Sequence, residues 1–124
     1  MAGDVTLLPA SDEAPLLARR FVRAELEGWG VPSANENAVL LASELVTHIV
    51  RSGPARSKLR VEIRRDVVRI EVCANTSDAG APLGADASDV ALGIIESLSS
   101  KWGVEGEDGI TTTWFELEPG ERQP

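Results

Sequence analysis

This chain of 124 residues is short of several residue types: one cysteine, one histidine, two phenylalanines, three tryptophans and no tyrosine. A single cysteine, Cys73, excludes an internal disulfide, and one Cys with one His excludes the usual zinc-ligand spacings. No stretch approaches the ~18 consecutive apolar residues of a membrane span. The start, "MAGDVTLLPASDEAP", has an early Asp and no apolar run of signal-peptide length, so a soluble, cytoplasmic protein is expected. Neither G-x-x-x-x-G-K-[ST] nor G-x-G-x-x-G occurs, and there is no internal repeat or low-complexity tract.

What is present fits one globular domain. The hydrophobic fraction is 43% and the charged fraction 26%, and a chain this long buries roughly 65% of its unfolded surface. The domain is placed at residues 1–118, with a disordered tail at 119–124. Net charge is −8, which opposes binding to phosphate backbones and anionic lipid; neither nucleic acid nor membrane is an expected partner. Against that acidic background Arg51, Arg56, Lys58, Arg60, Arg64 and Arg65 are concentrated mid-chain. They serve either as solubilising charge or as a local patch for one anionic ligand.

Residues 4–8 read as a short edge strand. Ser11 is placed as an N-cap, Pro15 in the first turn, and Leu17, Phe21 and Leu26 on the buried face of a first helix. Gly28 and Gly30 close it around Trp29. A second helix begins with Ser33 and Glu36 in capping-box spacing. Ala38, Ala42, Leu45, Val46 and Ile49 form its apolar arc, and Gly53-Pro54 stops it. "KLRVEIRRDVVRIEVCAN" alternates twice, with Leu59, Val61 and Ile63 and then Val68, Ile70 and Val72 sharing faces. Two antiparallel strands with a turn near Arg65-Asp66 follow.

Residues 75–88 form a long loop of the length often found at functional sites. Ser88 can cap a third helix over "DVALGIIESLSSKW", with Ala91, Ile94, Ile95 and Leu98 inward. "WGVE" and "ITTTWFELE" make two more strands around "GEDG". Trp102 and Trp114 are placed in the core, and Trp29 is a candidate interface anchor. The order β-α-α-β-β-α-β-β predicts an α+β two-layer sandwich, a mostly antiparallel sheet with helices on one face.

The pointed feature is "SELVTHIVRSG". Glu44, Thr47, His48, Arg51 and Ser52 lie opposite the apolar arc. They make either a solvated helix face, with Glu44 and His48 one turn apart, or a site. A Cys73–His48 nucleophile pair is disfavoured because Cys73 reads as a small, core-facing hydrophobe with nothing to depress its pKa.

The helix "VLLASELVTHIVRSG", the hairpin, the long loop, "ESLSSKWGVE" and "TTTWFELEP" together resemble the GHKL (Bergerat, histidine-kinase-like ATPase) fold. More narrowly, they are similar to the anti-sigma-factor serine kinases abundant in actinobacteria. "SELVT" and L-x-x-K-W-G-V carry most of the likeness, which spans nearly the whole chain. The resemblance implies ATP held between a helix, a sheet and a lid. It makes Glu44 the general base or the orienting group, with Arg51 retained. His48 stands where the family's Mg²⁺-coordinating Asn would be, and imidazole is a poor substitute for that hard oxygen. Ser52 replaces a family His.

The family Asp that accepts the adenine amino group falls on Ala74, unless a four-residue shift brings Asp78 in "DAGAP" to that role. The phosphate-cradling G-R-G-L reads "DVAL", Asp89 to Leu92, adding negative charge where a triphosphate would approach. "GITTTW" lacks the family's Lys.

Two readings follow from the resemblance. One is a regulatory protein-binding module, a pseudokinase with lost or weak ATP binding and no cofactor. It would act on a STAS-domain anti-sigma antagonist, a sigma factor or another GHKL protein, with a homodimer also possible. The other is an active ATP- and Mg²⁺-dependent serine kinase and anti-sigma factor, phosphorylating a STAS-domain antagonist through Glu44, His48 and Asp78. A different small ligand in the vacated pocket, or a purely structural subunit, completes the alternatives.

Overall fold

The computed structural model describes residues 2–30, 32–52, 56–64, 67–75 and 90–118. Strand β1 (Ala2–Leu8) leads into helices α1 (Ala14–Gly28) and α2 (Pro32–Ser52). The hairpin β2 (Ser57–Arg64) and β3 (Val67–Asn75) follows, then helix α3 (Val90–Leu98) and the hairpin β4 (Lys101–Glu107) and β5 (Ile110–Leu117). The five strands form one sheet in the order β1-β2-β3-β5-β4, antiparallel throughout. This is the expected element order and the expected α+β sandwich.

Side-chain alternation assigns the two faces. Leu59 and Val61 on β2, Val68, Ile70, Val72 and Ala74 on β3, and Thr113, Phe115 and Leu117 on β5 are all buried. They pack under the helices, where α2 contacts both α1 and α3 and lies against β3. The first hairpin is in register with Arg64 opposite Val67. The second turns through Asp108 (φ 53°) and Gly109 (φ 78°). Two consecutive positive φ angles fit a type I′ turn, for which Asp-Gly is a favoured pair.

Several local expectations change. Helix α1 starts at Ala14 rather than after Ser11, and Glu13 at its cap makes no side-chain capping bond; the Ser11 carbonyl instead accepts the Ala14 N–H at 3.1 Å. The buried face of α1 is Ala14, Ala18, Val22 and Leu26, an i, i+4 series. Leu17 is exposed and Phe21 half-buried. The alanines win the inward face because their short side chains let α1 lie close to α2. The C-terminus of α1 is as expected: Gly30 adopts φ 68° and donates to the Glu27 carbonyl at 3.2 Å, the left-handed residue that ends many helices.

Helix α3 stops at Leu98, four residues short of the expected end. Ser100 already belongs to the sheet, because its N–H and hydroxyl both donate to the Glu116 carbonyl, at 2.8 and 2.9 Å.

The face of the sheet away from the helices is not bare. Cys73 lies there, not in the core, with its Sγ 3.2 Å from the Thr112 hydroxyl. Trp114 is also on this outer face. Its indole leans onto Gly103, while the Arg69 guanidinium stands over the ring at 4.3 Å from the centroid. Arg69 donates to Glu71 at 2.7 Å and to Glu116 at 3.0 Å. Burial alone would lower its pKa, but these two carboxylates outweigh that and hold it above the ordinary value. Of the two tryptophans placed in the core, only Trp102 packs against it.

Two stability predictions follow from these contacts. A Cβ on Gly103 would lie 2.8 Å from three atoms of the Trp114 ring. Gly103→Ala is expected to displace the indole and cost about 1–3 kcal/mol in denaturant titration, with a change in tryptophan emission. The second concerns the Glu25 carboxyl of α1, pushed up from 4.5 to about 7 by partial burial, a hydrogen bond to Asp4 and the Asp4 charge. The folded state therefore holds a proton that the unfolded chain has released, and stability falls as pH rises from about 4.5 to about 7. Glu25→Gln should remove that decline, so its melting temperature exceeds the parent's above this window and converges with it below.

Candidate functional site

Helix α2 buries one broad face. Ala38, Val39, Leu41, Ala42, Leu45, Val46 and Ile49 all lie in the core. The "SELVT" segment divides by role. Ser43 is buried, and its hydroxyl oxygen accepts from Arg19 Nη1 at 3.2 Å, tying α2 to α1. Leu45 and Val46 are core. The Thr47 hydroxyl turns back on the helix and donates to the Ser43 carbonyl at 2.7 Å. Sequence reasoning missed the tie between Arg19 and Ser43, since nothing local pairs residues 24 positions apart.

The polar stripe survives only in part. Glu44 and His48 are half-buried one turn apart, and Arg51 is exposed in the last turn, where a cation complements the helix dipole. Glu44 makes no hydrogen bond or ion pair among the described residues. It is a half-buried carboxylate on a packed helix, with no bonding role among the described residues. Ser52 ends α2.

Ala74 lies near the end of β3, opposite Ser57 on β2 and Thr111 on β5. It is 5% exposed and faces the helical layer, so the fold brings it to the side of the sheet that α2 covers. Asp78 and Asp89, the other expected contributors, lie outside the described residues.

A groove of about 540 Å³ opens at this end of the sheet, lined by residues of β1, β2, β3 and β5. Of the expected site residues among those described it includes only Ala74, and no described α2 residue lines it.

Two positions that the resemblance gives to Mg-ATP carry other side-chain chemistry here. The Ala74 methyl cannot accept a hydrogen bond from an adenine amino group. His48 offers a nitrogen where Mg²⁺ prefers oxygen. Among the described residues no three of His, Cys, Asp and Glu are grouped to hold a metal ion. Among them, too, no helix is long and apolar enough to cross a membrane.

Two solved structures share this arrangement. The crystal structure of the RsbU and RsbW domains of Rv1364c from Mycobacterium tuberculosis matches 95% of this chain with a TM-score of 0.73 and 20% identity. The match covers 32% of that chain, so the present chain spans about a third of its length. The Acinetobacter baumannii histidine kinase AdeS matches 98% of this chain and 70% of its own, with a TM-score of 0.55 and 10% identity. No family model matches the chain, and no curated protein does. The fold is therefore the same kind of α+β sandwich as in these two structures, an antiparallel sheet with helices on one face, remote in sequence from both.

Because Glu44 bonds to nothing described around it, Glu44→Gln should change unfolding free energy by less than about 0.5 kcal/mol. A larger loss in denaturant titration would make this carboxylate a structural element and remove it as a site candidate.

Proposed function

We propose that this chain is a regulatory module that acts by binding other proteins, a relative of anti-sigma-factor serine kinases whose nucleotide site is lost or weak. The observation that carries the reading is Ala74: a buried methyl on the helix-facing side of β3, at the position where the resemblance calls for an adenine-accepting carboxylate. His48 in place of the metal-coordinating Asn points the same way. "SELVT" is kept, Glu44 included, while His48, Ser52 and Ala74 differ from the ligand residues the resemblance calls for, the pattern expected when a scaffold outlives its chemistry.

Binding of a partner suits what the helical layer leaves uncovered. Leu16, Leu17, Leu40 and Trp29 are large apolar side chains exposed on α1, α2 and the end of α1, and exposed aromatics are frequent anchors in protein interfaces. A STAS-domain antagonist, a sigma factor, another GHKL protein or a second copy are the partners this reading favours.

Calorimetry with Mg-ATP tests the proposal. No heat is expected up to about 1 mM nucleotide, a ceiling that corresponds to about −4 kcal/mol of binding. Micromolar binding would overturn it in favour of an active serine kinase with Glu44 as its base. The pair His48→Asn and Ala74→Asp provides the complementary arm. An unpaired carboxylate at a buried position costs several kcal/mol, so this variant should melt below the parent. Mg-ATP should then raise its melting temperature but leave the parent's unchanged. No recovery by nucleotide would remove Ala74 from the site.

A further inference from the structure

The groove at the end of the sheet has a chemistry unlike that of a nucleotide cleft. Ser57, Lys58, Cys73 and Ala74 of the β2–β3 pair contribute to its lining. Leu7, Leu8 and Pro9 close it on the β1 side, and Ile110 stands on β5. Leu7 is 76% exposed and Ile110 48% exposed, so two large aliphatic side chains border the same groove with much of their surface in water. From β1 to β5 is three strand spacings, roughly 14 Å. The volume of about 540 Å³ lies in the range of small-molecule sites.

Charge sharpens the assignment. Every other described cation on β2 and β3 is paired: Arg60 with Glu62 at 3.3 Å, Arg64 with Glu62 at 3.0 Å, and Arg69 with Glu71 and Glu116. Arg56 and Lys58, which line the groove, are both exposed and make no ion pair among the described residues. In a chain of net charge −8, two such cations beside an aliphatic groove form a local attraction for one anion.

We propose that this groove binds a small amphipathic anion, a medium-length aliphatic chain ending in a carboxylate or similar head. The chain lies along the outer-face side chains of Leu7, Cys73 and Ile110. The head sits at Arg56 and Lys58. The assignment does not rest on the α2 stripe, because the groove uses neither Glu44 nor His48; it shares Ala74 alone with the position the resemblance gives to adenine.

Cys73 supplies the readout, as the only thiol in the chain and a half-buried lining residue of the groove. The experiment follows its alkylation by neutral iodoacetamide on the full chain, with decanoate as the probe and acetate as the headgroup control. Decanoate should slow alkylation with a dissociation constant on the order of a millimolar or below, as ligands of about a dozen heavy atoms allow. Acetate should give no protection.

The double variant Arg56→Glu, Lys58→Glu should weaken decanoate by about tenfold or more, the scale of one or two charge-assisted bonds. Leu7→Asp should weaken it as well. All three positions are exposed, so these variants fold, and thermal unfolding verifies that. Absence of protection up to about 10 mM decanoate, equal protection by acetate, or protection indifferent to the charge reversal would each overturn the proposal.

Discussion

The structure depends on the burial of one broad apolar face of helix α2. Twenty-one residues long, it lies between α1 and α3 with β3 beneath it. The segment from Ala38 to Ile49 contributes Ala38, Val39, Leu41, Ala42, Leu45, Val46 and Ile49 to the core. Each fully buried Leu, Ile or Val contributes about 1.5–3 kcal/mol, so the helix cannot rotate or slide without exposing several of them. That fixity leaves little polar surface: Glu44, His48 and Arg51 are presented only because α2 has nowhere else to put them. Any chemistry at this face is held in place by the packing on its far side.

The sheet has two different surfaces as a result. The helix-facing side is a row of Val, Ile, Leu and Phe with Ala74 at its end. On the other side Glu62, Arg69, Glu116 and Lys101 stand opposite one another in register and alternate in sign along one row. Arg69 joins two carboxylates and the Trp114 ring. These contacts satisfy the Arg69 guanidinium on a half-buried surface, while the buried Trp114 Nε1 on the same face has no hydrogen-bond partner among the described residues. At the end of the sheet Leu7, Cys73 and Ile110 bring aliphatic surface beside Arg56 and Lys58, which make no ion pair among the described residues.

Much of the fold was legible because periodicity is a local property. Alternation in "KLRVEIRRDVVRIEVCAN" and the arc of Ala38, Ala42, Leu45, Val46 and Ile49 require only the spacing of side chains along a strand or helix. The misjudged residues share a cause. Leu17 and Phe21 are more apolar than Ala14 and Ala18, yet the close approach of α1 to α2 favours small side chains. Cys73 and Trp114 have hydrophobic character, but strand parity puts them opposite Val72 and Phe115. Hydrophobicity ranks residues; geometry chooses among them.

Sequence by itself determined the element order, the two hairpins, the Asp-Gly turn and the identity of the stripe on α2. It also determined the presence of an alanine at position 74 and a histidine at 48, since residue type fixes which atoms can accept a hydrogen bond or bind a metal. Only the tertiary structure decided that Ser43 ties α2 to Arg19, that Thr47 bonds its own helix, and that Glu44 bonds to nothing described around it. It alone joined Leu7, Lys58, Cys73 and Ile110 at one end of the sheet. Those residues lie on four strands far apart in the chain, and only pairing through the order β1-β2-β3-β5 makes them neighbours.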